Sequence, residues 1–267
     1  MGKPRGLFRN EGIVPMIGDH VVIVPSGDTD FPFQIVDIAP RRNDLIRPPV
    51  SNLDVLVITV SCKTPAPDEK LIDKLLILCG AKDIFPVLWI TKRDLDEKRA
   101  SRMEALYNEI GFTVRTSSKD SFDSDLRSAS FLVGKTVIFA GQSGVGKSTL
   151  CNALLGEDYM EVGKISTKLQ RGKHTTRHVE LIPFGDGGFI ADTPGFSSLR
   201  LPELGVQAEE VVFGYPELLR VKNKCRFQDC RHMGEDGCAV EESGIDPNRL
   251  ARYREFVKEL QNVKKYS

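Results

Sequence analysis

The sequence predicts an α/β fold in which a parallel sheet carries helices on both faces. A small N-terminal β module and a C-terminal α module built around a metal flank it. Three observations carry this reading. Between residues 50 and 200 short apolar runs alternate with stretches of helical period, the pattern of a parallel sheet. Residues 1–48 are instead rich in β-branched residues and turn signals. Past residue 200 three cysteines, Cys225, Cys230 and Cys238, crowd into fourteen residues. The expected divisions are 1–48, 49–200 and 201–267.

Each element has a local reason. HVVIV (His20–Val24) runs into PSGDTD, and FQIVDI (Phe33–Ile38) into PRRND, two short strands closed by polar turns. Pro48-Pro49 interrupts any regular element. VLVITV (55–60) is apolar without alternation, as a strand buried on both faces must be. From Asp68 to Cys79 a helix is predicted with Leu71, Ile72, Leu75, Leu76 and Cys79 on one face. FPVLWI (85–90) is the next strand, and Leu95, Met103, Leu106 and Ile110 mark a second helix. TVIFA (136–140), a helix from about Lys147 and GGFIAD (187–192) repeat the alternation. Asp246-Pro247 supplies an N-cap and a first-turn proline for a final helix lined by Leu250, Tyr253, Val257 and Leu260.

Composition narrows the function classes. Lys plus Arg is 37 and Asp plus Glu is 37, so the formal charge cancels. That excludes attachment to nucleic acid by global positive charge and leaves only local basic islands. No apolar run approaches the ~20 residues that cross a bilayer, and the opening MGKPRGLFRN lacks the apolar core of a secretory signal. A cytoplasmic, reduced location is expected, with no membrane partner. In that setting clustered cysteines read as metal ligands before disulfides.

The strongest motif is GQSGVGKST, comprising Gly141, Gln142, Ser143, Gly144, Val145, Gly146, Lys147, Ser148 and Thr149. It matches a P-loop and stands between a strand and a helix, as such a loop requires. Glycines let successive backbone N–H groups turn toward phosphate oxygens, and the helix N-terminus adds its positive dipole. Lys147 can neutralise the β- and γ-phosphates and the Ser148 hydroxyl can reach Mg²⁺. Downstream, in ADTPGF, Asp192 ends an apolar run and Gly195 follows three residues later. That spacing suits a carboxylate on the metal side and a glycine N–H that senses the γ-phosphate.

TKRD (Thr91, Lys92, Arg93, Asp94) directly follows the strand FPVLWI. A carboxylate there can accept both the ring N–H and the exocyclic amino group of guanine, a donor pair that adenine lacks. The Lys92 stem can cover the base. TSSK (Thr116–Lys119) follows the next apolar stretch, where the backbone at Ser118 and Lys119 could meet the guanine carbonyl. The ligand set Cys225, Cys230, His232, Cys238 gives three thiolates and one imidazole, the closed arrangement of structural zinc.

Here the base-recognition motifs precede the phosphate motifs, the reverse of the usual order. In this the sequence resembles the circularly permuted GTPases, and specifically the RsgA family, the ribosome small subunit-dependent GTPase A. The match is carried by RPPVSNLD (47–54), TKRD, GQSGVGKST, GKHTTRH (172–178), DTPGFSSL (192–199) and the cysteine cluster. The resemblance implies a permuted P-loop GTPase domain, an N-terminal OB-fold β-barrel and a zinc-binding C-terminal domain. About fifty residues precede the core where five OB strands are expected, so the barrel should be incomplete. It further implies GTP and GDP as ligands, Mg²⁺ and Zn²⁺ as ions, and the small ribosomal subunit and its rRNA as partners of a monomer. GTP hydrolysis would be stimulated by the subunit during its late maturation.

In many GTPases a Gln after the D-x-x-G glycine orients the attacking water. Phe196 stands there instead. His174 is the candidate to position water, the other reading being a solvated loop histidine. Thr175 and Thr176 are the candidate switch hydroxyls, with Thr176 fitting slightly better as the Mg²⁺ ligand. Basic runs at 161–178, at 220–232 and along the last helix (Arg249, Arg252, Arg254, Lys258, Lys264, Lys265) are candidate RNA contacts. Two other classes remain open: a nucleotide-dependent RNA-binding scaffold with negligible turnover, and a P-loop ATPase or kinase.

Overall fold

The computed structural model describes residues 2–4, 14–119, 129–156, 179–192 and 199–263, with backbone alone at 2–4, Asp192 and Val263. At the N-terminal side β1 (Gly2–Pro4) pairs parallel with β3 (Phe33–Ile38), and β2 (Val21–Pro25) pairs antiparallel with β3 across a bulge at Val22/Ile23. All five β2 residues are exposed. This three-stranded sheet and a hairpin of β4 (Asp44–Leu45) and β5 (Val50–Ser51) are the strands that precede the core among the described residues.

The core is a six-stranded sheet. Its members are β6 (Val55–Ser61), β7 (Phe85–Thr91), β8 (Thr113–Thr116), β9 (Thr136–Ala140), β10 (Glu180–Phe184) and β11 (Gly188–Asp192), in the order β10-β11-β9-β6-β7-β8. Every pair is parallel except β10 with β11. The chain proceeds from β6 outward to β7 and β8, then returns to the other side of β6 with β9. That reversal makes the C-terminal ends of β6 and β9 a topological switch point, where doubly wound sheets bind ligands. β10 was not among the expected strands: Pro183 and an exposed Glu180 on the outer strand hide it.

Alternation along β6 explains the layers. Leu56, Ile58 and Val60 join one core cluster while Val55 and Val57 join the other, on the opposite face. Helix α1 (Glu69–Ala81) and α2 (Glu97–Ile110) pack on the first face. Helix α3 (Lys147–Leu155) packs on the second through Leu150 and Cys151. Asp68 caps α1 by accepting the Leu71 N–H at 3.0 Å. On α2 the buried side chains are Ala100, Tyr107 and Ile110, and Met103 packs against them, so that Met103 and Ile110 of the expected stripe are covered while Leu106, and Leu95 just before the helix, are exposed.

Helix α1 is buried almost all round: Asp73, Ile77 and Leu78 are covered as well as the expected face. The cover comes from residues 201–260, whose Leu201, Val211, Tyr215, Phe256 and Val257 belong to the same cluster. Contact is backbone-close, since a Cβ on Gly80 would lie 2.5 Å from Phe213 Cβ and one on Gly214 would lie 2.7 Å from the Ile77 backbone N. This covering segment contains the short helix α4 (Pro216–Leu219) and the final helix α5 (Pro247–Val263). Asp246 caps α5 by accepting the Asn248 and Arg249 N–H groups at 2.9 and 3.1 Å.

Candidate functional site

The phosphate loop leaves β9 at Gly141, and Gly141, Gly144 and Gly146 all hold positive φ (144°, 77° and 100°). At Gly141 the requirement is also steric, because a Cβ would overlap the Thr59 carbonyl of β6. Val145 is buried beneath the loop while Ser143, Gly144 and Thr149 face outward. Helix α3 begins at Lys147, so its N-terminus points from the same place. Lys147 Nζ donates to the carbonyls of Gly141 and Gln142 at 2.8 and 2.6 Å. Burial pushes its ammonium below the usual lysine range. Ser148, the next residue, is buried at the first turn of α3.

The base motif meets this loop directly. Thr91 ends β7, and its hydroxyl donates to the Val145 carbonyl at 2.6 Å. Lys92 takes left-handed backbone angles (φ 58°). Its Nζ donates to the Gly144 carbonyl at 2.7 Å and also to the Thr64 carbonyl. Asp94 Oδ1 accepts the Lys119 N–H at 3.2 Å, so that the two halves of the expected base pocket face each other. Ser117 and Ser118 sit between them, just past β8. Residues some fifty positions apart in sequence thus converge at one sheet edge. Thr64 was not anticipated, although any loop that follows the central strand of a parallel sheet must reach this edge.

Asp192 closes β11, which runs parallel to β9 with Ala191 opposite Ile138, so that its backbone ends at the same edge as the phosphate loop. His174, Thr175, Thr176, Gly195 and Phe196 lie outside the described residues.

The family model described as RsgA GTPase matches residues 38–202. The small ribosomal subunit biogenesis GTPase RsgA of Ruminiclostridium cellulolyticum is 40% identical over 269 residues, covering 99% of this chain and 87% of that protein. The same-named protein of Bacillus subtilis is 41% identical over 273 residues, covering 98% and 89%. The chain belongs to the RsgA GTPase family. Among solved structures it is similar to YloQ, a circularly permuted GTPase, with TM-score 0.77, 35% identity and coverage of 98% and 86%. YjeQ from Thermotoga maritima gives TM-score 0.75, 29% identity and coverage of 97% and 89%. The RsgA fold of this chain is therefore a permuted GTPase sheet, in keeping with a strand order that places β9 and β6 together at its centre.

The Cys3His set of this RsgA chain is gathered into one cluster. The ligand atoms of Cys225, Cys230, His232 and Cys238 lie within 4.8 Å of one another. His232 Nδ1 stands 3.7, 3.9 and 3.3 Å from the sulfurs of Cys225, Cys230 and Cys238. Zn–S and Zn–N bonds of ordinary length at tetrahedral angles give N···S edges of about 3.6 Å. Three soft sulfurs facing one buried imidazole nitrogen are compatible with zinc. Burial pushes the Cys230 thiol up to about 12. Helix α5 holds the cluster in place, with Tyr253 Oη donating to the Arg231 carbonyl at 2.8 Å and Arg254 Nε to the His232 carbonyl at 3.0 Å.

The basic runs need correction. Arg249 and Arg252 point inward to acids on α1 and α4, and Arg254 is taken by a backbone carbonyl. Arg220 donates to the Ile110 carbonyl. On the surface Lys224 pairs with Glu242, Arg226 with Asp236 and Arg231 with Glu209. The RNA-facing charge counted along 220–232 and α5 is thus much reduced, with Lys222 and Lys258 still exposed. Lys164, Lys168, Arg171, Lys173, Arg177, Lys264 and Lys265 lie outside the described residues.

Proposed function

We propose that this chain binds GTP and the small ribosomal subunit with its rRNA and acts in late maturation of that subunit. It hydrolyses GTP to GDP and phosphate, and the subunit stimulates the reaction. The observation that carries the nucleotide reading is the junction of Thr91 and Lys92 with the carbonyls of Val145 and Gly144. One ligand with a purine at Asp94 and phosphates at Lys147 spans it. The ribosomal reading is supported by relatives named for small-subunit biogenesis. In this reading 49–200 carries the nucleotide chemistry, 1–48 and 201–267 the remaining contacts, and the protein acts as a cytoplasmic monomer. Among the described residues no helix is long and apolar enough to cross a membrane.

The residues divide the work. Asp94 accepts the guanine N1–H and 2-amino group, the Lys92 stem covers the ring, and the backbone at Ser118 and Lys119 meets the 6-oxo group. The amides of residues 141–149 cradle the phosphates. Lys147 exchanges its two loop carbonyls for phosphate oxygens, whose negative charge stabilises an ammonium that burial disfavours. Ser148 and Thr176, or Thr175 in its place, would hold Mg²⁺, which when bound neutralises charge between the β- and γ-phosphates. Asp192 supports that side, Gly195 senses the γ-phosphate and His174 positions water. Phe196 cannot orient water, so intrinsic turnover is slow until the subunit engages. Multiple-turnover GTP hydrolysis measured with and without purified small subunits is expected to rise by at least tenfold with them, a gain typical of one positioned group. Equal rates would remove the ribosomal reading, and negligible turnover in both would favour the scaffold.

Cys225, Cys230, His232 and Cys238 would hold a structural Zn²⁺. Four protein ligands leave no open coordination position, so the ion contributes folding rather than chemistry. Chelation is expected to expose residues 225–238 to amide exchange while GDP affinity changes less than about threefold, because none of the four ligands belongs to residues 141–149. A large loss of GDP affinity on chelation would count against this assignment.

A further inference from the structure

Residues 117–119 reach the base site as an irregular segment past β8, and two side chains outside that segment fix where it stands. Arg93, the middle position of TKRD, donates its backbone N–H to the Ser117 carbonyl at 3.1 Å. Its Nη1 donates to Thr116 Oγ1 at 3.1 Å and to Glu104 Oε2 at 3.0 Å. Its Nε and Nη2 reach Glu97 Oε1 at 3.2 and 3.1 Å. Two glutamates of α2 thus set the plane of the guanidinium, which then presents a fixed donor to the end of β8. From the other face of the sheet the Trp89 indole N–H donates to Ser117 Oγ at 3.1 Å, with both residues buried. The Ser117 N–H closes the arrangement on the Ile90 carbonyl at 2.9 Å.

We infer that Arg93 and Trp89 are positioning residues that set guanine specificity by holding the 117–119 backbone against the purine's 6-oxo edge. The inference rests on the guanine reading of Asp94. The division of labour follows from the base. Asp94 reads N1–H and the 2-amino group, while the segment beyond Ser117 reads position 6, where guanine offers an acceptor and adenine a donor. A backbone N–H fixed there binds the first and repels the second. A donor displaced by about 1 Å loses most of that discrimination. Both side chains act through the segment.

The test is nucleotide binding by the full chain and by Arg93→Ala and Trp89→Phe, using GDP, IDP (which lacks only the 2-amino group) and ADP, with thermal melting alongside. Each folded variant is expected to bind GDP about tenfold more weakly, to keep the wild-type GDP:IDP ratio, and to lose about tenfold of its GDP:ADP preference. A purely structural role lowers the melting temperature and leaves both ratios in place. Wild-type GDP:ADP preference in both folded variants would overturn the inference alone. A collapsed GDP:IDP ratio would place the damage at Asp94 and overturn the assignment to the 6-oxo edge. Wild-type protein that fails to distinguish GDP from ADP would overturn the guanine reading and this inference with it. If Trp89→Phe does not fold, Arg93→Ala decides, since the Arg93 side chain is 30% exposed and tolerates truncation.

Discussion

Asp94→Asn is expected to weaken GDP binding by roughly a thousandfold and to make xanthosine diphosphate the better ligand. A carboxylate offers two acceptors to two guanine donors. Asparagine keeps one acceptor and replaces the other with an NH₂ group, which then confronts the 2-amino group donor to donor. Xanthine carries an oxo group at that position and restores the pair. The change is nearly isosteric, and Asp94 also accepts the Lys119 N–H at 3.2 Å, a bond that the asparagine Oδ1 can still accept. Folding should therefore survive, and calorimetric titration with both diphosphates reads the exchange. Unchanged GDP affinity in Asp94→Asn would place the base elsewhere.

The second large effect is on stability. Arg249→Met is expected to lower stability by roughly 3–5 kcal/mol, because it leaves the buried Glu217 without its cation and Asp73 with one arginine in place of two. Arg249 Nη1 lies 2.5 Å from Asp73 Oδ1 and Nε lies 2.8 Å from Glu217 Oε1, with all three side chains at most 4% exposed. Its Nη2 donates to the Gly214 carbonyl at 3.1 Å, and the guanidinium lies 4.6 Å from the Tyr215 ring centre. Arg252 supports Asp73 from the other side at 2.5 Å. Since desolvating charges opposes their attraction, replacing the set together (Asp73→Leu, Glu217→Leu, Arg249→Met) is expected to recover much of the loss. Denaturant midpoints of the single and triple variants measure both quantities. A single variant as stable as the parent would mean that water reaches this network.

Local chemistry explains which parts of the molecule could be read from the chain. β6 and β7 were legible because strands buried on both faces must be continuously apolar. The phosphate loop was legible because its glycines serve a local backbone need. The face of α2 was half legible: Met103 and Ile110 pack on the core as expected, whereas Ala100 and Tyr107 are buried in place of Leu95 and Leu106. Asp73 lies outside the apolar face predicted for α1 and is nevertheless buried. Its partners Arg249 and Arg252 stand about 180 positions away, and nothing near it in sequence announces them. The basic runs were overcounted for the same reason, since Glu242, Asp236 and Glu209 answer them only in three dimensions. At the candidate base site the TKRD motif is visible in the chain, whereas the anchoring of Ser117 by Trp89 needed the neighbouring strands in register, Ile90 opposite Thr116.

The enclosure of α1 sets the limit of the stable fold beyond the limit of the GTPase family model. That model ends at residue 202, yet the outer side of α1 is roofed by Val211, Gly214, Tyr215 and Phe256. Cut at residue 202, the chain would bare Ile77 and leave Asp73 deprived of its arginines. A protease cut there would thus act on the fold, through the lost cover of α1, while removing no residue of the phosphate loop.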